Sequence, residues 1–158
     1  MTDFDAVLTT LWQHEVAFIV VGGAAAIAHG SARLTQDLDI VYLRTAANLD
    51  RLAVALADHK PYLRGVPLGL PFIWDAATLA RGLNFTLVTS LGDIDLLGEI
   101  PGGGTYEELV AGAVELQVFR MRCLCLSLPQ LIRAKRAAGR PRDLEALAEL
   151  EAIEEEGG

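Results

Sequence analysis

The sequence has few cysteines and no long hydrophobic run, and each absence excludes a class of protein. Cys123 and Cys125 are the two cysteines among 158 residues, too few for a disulfide framework and wrongly spaced for a metal knuckle. The longest non-polar run, 16–28, has 13 residues and is shorter than a membrane-spanning helix. No basic stretch precedes it, as a signal peptide would require. We therefore expect a soluble, cytoplasmic protein whose two thiols lie on one face of a strand, buried and reduced.

Basic residues are scarce outside one segment of the chain. The net charge of −8 argues against general nucleic-acid coating. Residues 120–142, called here the basic segment, hold seven basic side chains and no acidic one. The other 135 residues carry six basic against 21 acidic side chains, a balance of −15. The segment would either bind an anion or form a solvated helix face, and charge alone favours neither.

The remaining composition is that of a folded chain with a hydrophobic core. Hydrophobic residues make up 52% of the sequence, which excludes intrinsic disorder. The length suits one domain, and there is no internal repeat or low-complexity linker. We expect a single domain over 1–158, with a last helix at about 141–156.

Predicted strands and helices mix without strict alternation, which indicates an α/β or α+β chain with a single mixed β-sheet and flanking helices. Strands are predicted at 17–21, 38–43, 84–89, 94–97 and 115–121. Helices are predicted from Thr2 as N-cap, from Gly22, at 46–58 and 75–81, from Thr105, from Ser127 to Gly139, and from Pro141. The proline-containing stretch 60–74, which precedes the short helix at 75–81, is predicted to be a loop.

A glycine pair stands where the first predicted strand ends. Gly22 and Gly23 follow an apolar run and open an alanine-rich helix. Glycines at a helix start expose N–H donors and let a phosphate approach the backbone closely. Helix–strand packing would explain the two glycines equally well. His29, on the same helix, is expected to pack or to cap the helix rather than to contact a phosphate.

Two aspartates open the next predicted strand. Asp37 and Asp39 are two residues apart, so on a strand both carboxylates point to the same side. Like charges so close together favour a divalent cation, and Mg²⁺ prefers oxygen ligands. In the alternative, Asp37 caps the loop and Asp39 alone faces inward.

A dinucleotide-binding unit does not fit these motifs. The G-x-G-x-x-G spacing is absent, and the acids begin their strand instead of ending it. If the glycine pair is to meet the aspartates, the two strands must run antiparallel.

A glycine pair that ends one strand, followed by Asp-x-Asp on the next, resembles the nucleotidyltransferase superfamily with the polymerase-beta-like fold. The stretch 30–35, Gly-Ser-Ala-Arg-Leu-Thr, resembles its small bacterial branch of minimal and abortive-infection toxin nucleotidyltransferases. The stretch 131–144 is similar to the family's C-terminal segment, where a lysine and an Arg-Pro-basic-Asp element face the cleft. The resemblance covers residues 15–150.

This resemblance implies a third carboxylate on a neighbouring strand. Asp95, which precedes two leucines in the stretch 92–98, is the expected residue. Asp93 is expected to be the turn residue of a hairpin around 91–93.

The resemblance also implies an enzyme that transfers a nucleoside monophosphate from an NTP to a hydroxyl of an RNA such as tRNA, of a protein, or of a small molecule. A toxin role with a cognate antitoxin is part of that expectation. Mg²⁺ would be held by the predicted catalytic residues Asp37, Asp39 and Asp95. The nucleotide would be bound by Gly22, Gly23, Arg33, Lys135 and Arg140. The alternatives are a non-catalytic binding or regulatory module of the same fold, and a carboxylate-pair hydrolase.

Overall fold

The computed structural model describes residues 2–157, within which seven helices and nine strands form. The helices are α1 (Phe4–Gln13), α2 (Gly22–Ala28), α3 (Ala46–Ala57), α4 (Ala76–Arg81), α5 (Tyr106–Leu109), α6 (Leu128–Ala138) and α7 (Pro141–Gly157). The strands are β1 (Phe18–Val21), β2 (Asp37–Tyr42), β3 (Tyr62–Leu63), β4 (Phe85–Thr89), β5 (Gly92–Leu97), β6 (Glu99–Ile100), β7 (Gly104–Thr105), β8 (Val114–Val118) and β9 (Met121–Cys125). Over this described range, every helix is too short or too polar to cross a bilayer.

A seven-stranded mixed sheet organises the chain, which confirms the predicted fold class. Its strand order is β3-β4-β5-β2-β1-β9-β8, while β6 and β7 form a separate two-stranded sheet. Strands β1 and β2 pair antiparallel, with Val21 opposite Asp39, as the glycine and aspartate motifs predicted. Strands β2 and β5 pair parallel, with Asp37 opposite Asp93 and Asp39 opposite Asp95. This register brings the acidic ends of two strands together on one face.

The centre of the sheet is held by alternating apolar residues. Leu38 and Ile40 on β2, and Ile94 and Leu96 on β5, are fully buried. Each such side chain contributes roughly 1.5–3 kcal/mol when it leaves water. The acidic residues occupy the intervening positions, so the burial that fixes the strand register also fixes the carboxylates.

The predicted capping of α1 by Thr2 is wrong. Asp3 is the N-cap, and its Oδ1 accepts a hydrogen bond from Ala6 N at 3.0 Å. The Thr2 hydroxyl instead donates to the carbonyl of Gln36 at 2.6 Å and accepts from the backbone N–H of Asp93 at 2.9 Å. It therefore ties the starts of β2 and β5 together, a long-range role that the local sequence does not show.

The C-terminal helices begin and end where the sequence predicted. Ser127 caps α6 in a capping box with Gln130, and Gly139 ends it with φ +65°. Helix α7 begins at Pro141, a position where the missing N–H of proline costs nothing. The two helices pack against each other, and α6 also packs against α2.

Two predicted elements differ from the structure. The single strand predicted at 115–121 is a hairpin of β8 and β9, because Phe119 adopts φ 54° and reverses the chain. The Phe119 ring stacks on that of Phe4 at 4.5 Å, which stabilises this unfavourable backbone. Within the predicted loop 60–74, residues 62–63 form the edge strand β3.

The two thiols lie on β9, as predicted, with unequal exposure. Cys125 is fully buried and Cys123 partly so. Burial raises the pKa of the Cys125 thiol to about 12 and that of Cys123 to about 11. Both thiols are therefore protonated at neutral pH and poor nucleophiles.

Candidate active site

Three carboxylates meet at the starts of two neighbouring strands. Asp37 and Asp39 are on β2 and Asp95 is on β5, and one carboxylate oxygen of each lies within 4.8 Å of the other two. Asp37 thus joins the cluster instead of capping the loop alone. Three hard oxygen ligands at this spacing can hold a divalent cation.

The carboxylate cluster is short of compensating partners. Within residues 2–157, Asp39 Oδ1 is buried without a hydrogen-bond partner, and Asp95 Oδ1 accepts no aligned hydrogen bond although Arg64 Nη2 lies 2.9 Å away. Burial, together with the charges of Asp95 and Asp37, raises the pKa of Asp39 to about 7. Buried acceptors without donors are costly unless a cation neutralises them. These orphaned oxygens therefore fit a metal ion.

The glycine pair permits close approach to the cluster. Gly22 has φ +64°, and a methyl group at this position would overlap the Asp39 carboxylate. At Gly23 a methyl carbon would lie 2.7 Å from Thr35 Oγ1. Side chains are thus excluded at both positions, and the start of α2 stays open beside Asp39.

A cleft of about 510 Å³ collects most of the predicted site residues. It is lined by Gly23, Arg33, Asp37, Asp39, Asp95, Lys135 and Arg140, which come from five separate parts of the chain. Gly22 does not line the cleft but contacts the carboxylate of Asp39, which does. Lys135 on α6 has a side chain only 24% exposed, and its charge acts on Asp39. The cleft therefore presents carboxylates on one wall and cations on the other.

Asp143 organises the cationic wall, although sequence reasoning gave it no role of its own. Its buried carboxylate accepts hydrogen bonds from Lys135 Nζ at 3.3 Å and Arg140 Nε at 2.6 Å. These bonds, above all the one from Arg140, lower the pKa of Asp143 to about 2. Its place three residues after an arginine, at a helix start, is a signal that could have identified it.

Arg33, which also lines the cleft, is held by two glutamates of α7. Its guanidinium lies 3.7 Å from Glu149 and 3.9 Å from Glu145. Glu149 also accepts hydrogen bonds from the Ser31 hydroxyl at 2.6 Å and from Ala32 N at 3.1 Å. The last helix thereby fixes the loop that leads into β2.

Most residues of the basic segment form ion pairs, although the segment itself contains no acidic residue. Acidic groups from elsewhere in the fold pair with five of the seven: Asp5 with Arg120, Glu115 with Arg122, Glu151 with Arg136, and Asp143 with both Lys135 and Arg140. Arg133 and Arg142 make no ion pair with residues 2–157. Pairing across distant elements cannot be read from a local charge count.

Arg64 is the residue of the site that the sequence did not reveal. It follows β3, and its guanidinium reaches Asp37, Asp93 and Asp95. The prediction that Asp93 is a turn residue is wrong, because it lies within β5, opposite Asp37. A single arginine in a proline-containing stretch carries no local signal of such a contact.

His29 behaves as expected. It is the C-cap residue of α2, and its ring Nε2 donates to the carbonyl of Leu126 at 2.7 Å. The ring therefore joins α2 to the end of β9.

A second, more apolar cavity of about 550 Å³ adjoins the cleft. The two share Leu34 and Thr35, and the cavity is also lined by Phe4, Ile27 and Phe119. Leu34 is 97% exposed at this shared rim. An exposed leucine between a charged cleft and an apolar cavity is available to a ligand that spans both.

Comparison with solved structures identifies the fold. The lincomycin-bound crystal structure of lincosamide antibiotic adenylyltransferase LnuA aligns with a TM-score of 0.62 at 15% identity, over 95% of this chain and 95% of that chain. A provisionally assigned nucleotidyltransferase from Thermotoga maritima aligns with a TM-score of 0.57 at 15% identity, over 94% of each chain. No protein-family model and no curated protein sequence matches the chain. The chain has the nucleotidyltransferase fold.

Proposed function

We propose that the protein transfers a nucleoside monophosphate from an NTP to a hydroxyl group of an acceptor. The observation that carries the proposal is the meeting of Asp37, Asp39 and Asp95 within 4.8 Å beside a glycine-lined helix start. The nucleotidyltransferase fold supports it. A non-catalytic module of this fold would have no use for Asp39 Oδ1, a buried carboxylate oxygen without a hydrogen-bond donor.

The metal in this proposal is Mg²⁺, held by Asp37, Asp39 and Asp95. When bound, it supplies positive charge to the triphosphate and to the attacking oxygen. Asp95 would accept the proton of the acceptor hydroxyl as its oxygen bonds to the α-phosphorus. The bond from the α-phosphorus to the bridging oxygen breaks, and pyrophosphate leaves with the bonding electrons.

The triphosphate in this proposal lies between the glycine pair and the cationic wall. The open start of α2 at Gly22 and Gly23 would provide backbone N–H donors. Lys135 and Arg140, preorganised by Asp143, would neutralise charge that develops on the leaving group. Arg33 would exchange its carboxylate partners for phosphate oxygens, because its ion pairs at 3.7 and 3.9 Å are long and partly exposed.

For the acceptor we propose a hydroxyl compound with an apolar portion, which would lie in the cavity that shares Leu34 with the cleft. LnuA is a lincosamide adenylyltransferase, and its fold relationship supports a small-molecule acceptor. An RNA acceptor such as tRNA, or a protein acceptor, is the other branch of the proposal. The net charge of −8 and the paired basic segment weigh against RNA.

The test uses two labels and three acceptor pools. The protein is incubated with Mg²⁺ and either α-³²P- or γ-³²P-labelled NTPs, together with total cell RNA, total cell protein, or a library of small hydroxyl compounds. If the protein transfers a nucleoside monophosphate, the α label, and not the γ label, should enter one of the three pools. Asp39→Asn should abolish this incorporation. Entry of the γ label would indicate a kinase and contradict the proposal. No entry into any pool would favour the non-catalytic module.

The branch of the proposal with an RNA or protein acceptor includes a role as a cytoplasmic toxin, which is tested separately. If a host RNA or protein is the acceptor, induced expression should arrest growth, Asp39→Asn should relieve the arrest, and a cognate antitoxin should suppress it. If the acceptor is a small molecule, cells expressing the wild-type protein should grow normally.

A further inference from the structure

One arginine side chain lies within the carboxylate cluster. Arg64 Nη2 is 2.9 Å from Asp95 Oδ1, its Nη1 is 3.7 Å from Asp37 Oδ2, and its Nε is 3.5 Å from Asp93 Oδ2. These three carboxylates belong to two strands, β2 and β5, that pair in register. The guanidinium is therefore a cation shared by three carboxylates and is not one half of a simple pair.

The arginine is brought to this place by the edge of the sheet. Its backbone N–H donates to the carbonyl of Thr86 at 2.9 Å, which extends the pairing of β3 with β4. Its Nη2 donates to the carbonyl of Leu87 at 2.8 Å. The side chain thus crosses β4 and reaches β5 from an anchored backbone, with 25% of its surface exposed.

The contacts of Arg64 with the carboxylates are electrostatic and poorly aligned. Its Nε is buried without a hydrogen-bond acceptor in residues 2–157, and Asp95 Oδ1 accepts no hydrogen bond despite its short distance to Nη2. Arginine–carboxylate pairs are frequently bidentate and aligned, which the pairs made by Arg64 are not. Here the positive charge is supplied while the lone pairs of Asp95 are left free.

We infer that Arg64 is an internal counter-cation that occupies the Asp95 side of the cluster and that a divalent ion must displace. This inference rests on the metal site of the proposed function and adds a regulatory residue to it. A dication on Asp95 would lie within a few ångströms of a fixed positive charge, so each opposes the binding of the other. Arg64 thus lowers the affinity of the metal-free protein for metal.

The experiment measures metal binding in the absence of nucleotide and acceptor. Mn²⁺, which accepts the same oxygen ligands as Mg²⁺, is titrated into the wild-type protein and Arg64→Gln, with free Mn²⁺ followed by electron paramagnetic resonance. We expect Arg64→Gln to bind Mn²⁺ about tenfold or more tightly, since a unit charge next to the ion is removed. Equal or weaker binding by Arg64→Gln would overturn the inference.

The matched control is Arg44→Gln. Arg44 also donates to backbone carbonyls, those of Leu79 and Ala80, each at 3.1 Å, and it makes no ion pair within the described chain. The Arg44→Gln variant should bind Mn²⁺ with the same affinity as the wild-type protein. A matching gain in Arg44→Gln would assign the effect to general loosening and would also overturn the inference.

Failure of the inference and failure of the proposed function give different results. In one outcome, the wild-type protein binds Mn²⁺, Asp39→Asn abolishes this binding, and Arg64→Gln leaves its affinity unchanged. That outcome contradicts the inference about Arg64 and leaves the proposed metal site intact. If neither the wild-type protein nor Arg64→Gln binds Mn²⁺, the metal site itself is contradicted, and the inference with it.

A measurement on the wild-type protein applies even if Arg64→Gln does not fold. The Nε–H resonance of Arg64, assigned through the backbone, is followed by ¹⁵N nuclear magnetic resonance during addition of Mg²⁺. Displacement predicts that this resonance moves together with those of Asp39 and Asp95. A stationary Arg64 signal, while the aspartate signals move, would overturn the inference.

Discussion

Asp143 lies buried beneath the cationic wall of the cleft, with its Oδ2 2.6 Å from Arg140 Nε. Only 1% of the Asp143 side chain is exposed, whereas Arg140 is 55% exposed. The carboxylate is therefore held by the fold, and the guanidinium is held by the carboxylate. Because buried Asp143 binds both Lys135 and Arg140, these two positive side chains keep one arrangement before a ligand binds.

Asp143→Asn should destabilise the protein in a pH-dependent way. The pKa of Asp143 is about 2, below its ordinary value of 3.8, so its ion pairs stabilise the fold above pH 4 and are lost as the pH falls through about 2. The shift corresponds to about 2 kcal/mol at neutral pH. Urea unfolding at pH 7 and pH 3 measures this. The difference between wild-type and variant stability should shrink at pH 3, and a constant difference would contradict the role of the ion pairs.

Lys135→Ala and Arg140→Ala should each weaken NTP binding by about 1–3 kcal/mol, the range for hydrogen bonds to charged groups. Both side chains line the cleft. Arg136 is the matched control, because it lies on the same helix, is 61% exposed and pairs with Glu151 outside the cleft. Titration of a fluorescent NTP analogue compares the three variants. An equal loss in Arg136→Ala would mean that a diffuse positive surface, and not a site, binds the nucleotide.

Asp39→Asn should stabilise the metal-free protein and abolish its response to Mg²⁺. Burial and the neighbouring Asp95 raise the pKa of Asp39 to about 7 from 3.8, so the fold favours its protonated form. The wild-type protein should therefore lose stability as the pH rises from about 4 to about 7, on the order of 4 kcal/mol. Thermal melting at several pH values, with and without Mg²⁺, shows both effects. A Mg²⁺-induced shift that persists in the variant would contradict the assignment of Asp39 as a metal ligand.

Gly22→Ala should remove the Mg²⁺-induced stabilisation and lower stability by about 1–2 kcal/mol, the cost of a left-handed residue with a side chain. The added methyl group would displace the Asp39 carboxylate. Gly30→Ala provides the comparison, because Gly30 also has a positive φ, of +111°, but a methyl group there meets no described atom within 4 Å. Both variants should melt earlier, and only Gly30→Ala should retain its response to Mg²⁺. Retention by both would show that the close approach at Gly22 is irrelevant to the metal.

The local features of the fold could be predicted from the sequence. Thr45, Ser127 and Gly139 cap helices at the expected places, because a cap depends on a few neighbouring residues. The antiparallel pairing of β1 with β2 followed from requiring the glycine pair to meet the aspartates. The alternation of residues along a strand predicted that Asp37 and Asp39 share a face, and the family resemblance implied Asp95 as the third carboxylate of the cluster.

The features that the sequence did not reveal all depend on contacts across the fold. Arg64 reaches its carboxylates by crossing β4, and Thr2 bonds to residues 34 and 91 positions away. Asp93 was misassigned as a turn residue because the hairpin between β4 and β5 turns two residues earlier, at 90–91. Two of the ion pairs that neutralise the basic segment, Arg120 with Asp5 and Arg136 with Glu151, likewise join residues 115 and 15 positions apart. Such contacts cannot be predicted from the residues that neighbour each position in the sequence.

A crystal structure of the protein with Mg²⁺ and a non-hydrolysable NTP analogue would show whether the carboxylate cluster and the cleft form one nucleotide site. We expect metal density between Asp37, Asp39 and Asp95, a triphosphate along Gly22 and Gly23, and Lys135 and Arg140 in contact with the triphosphate oxygens. A nucleotide bound elsewhere on the protein, or a triphosphate in the cleft with its metal away from the three aspartates, would contradict this expectation.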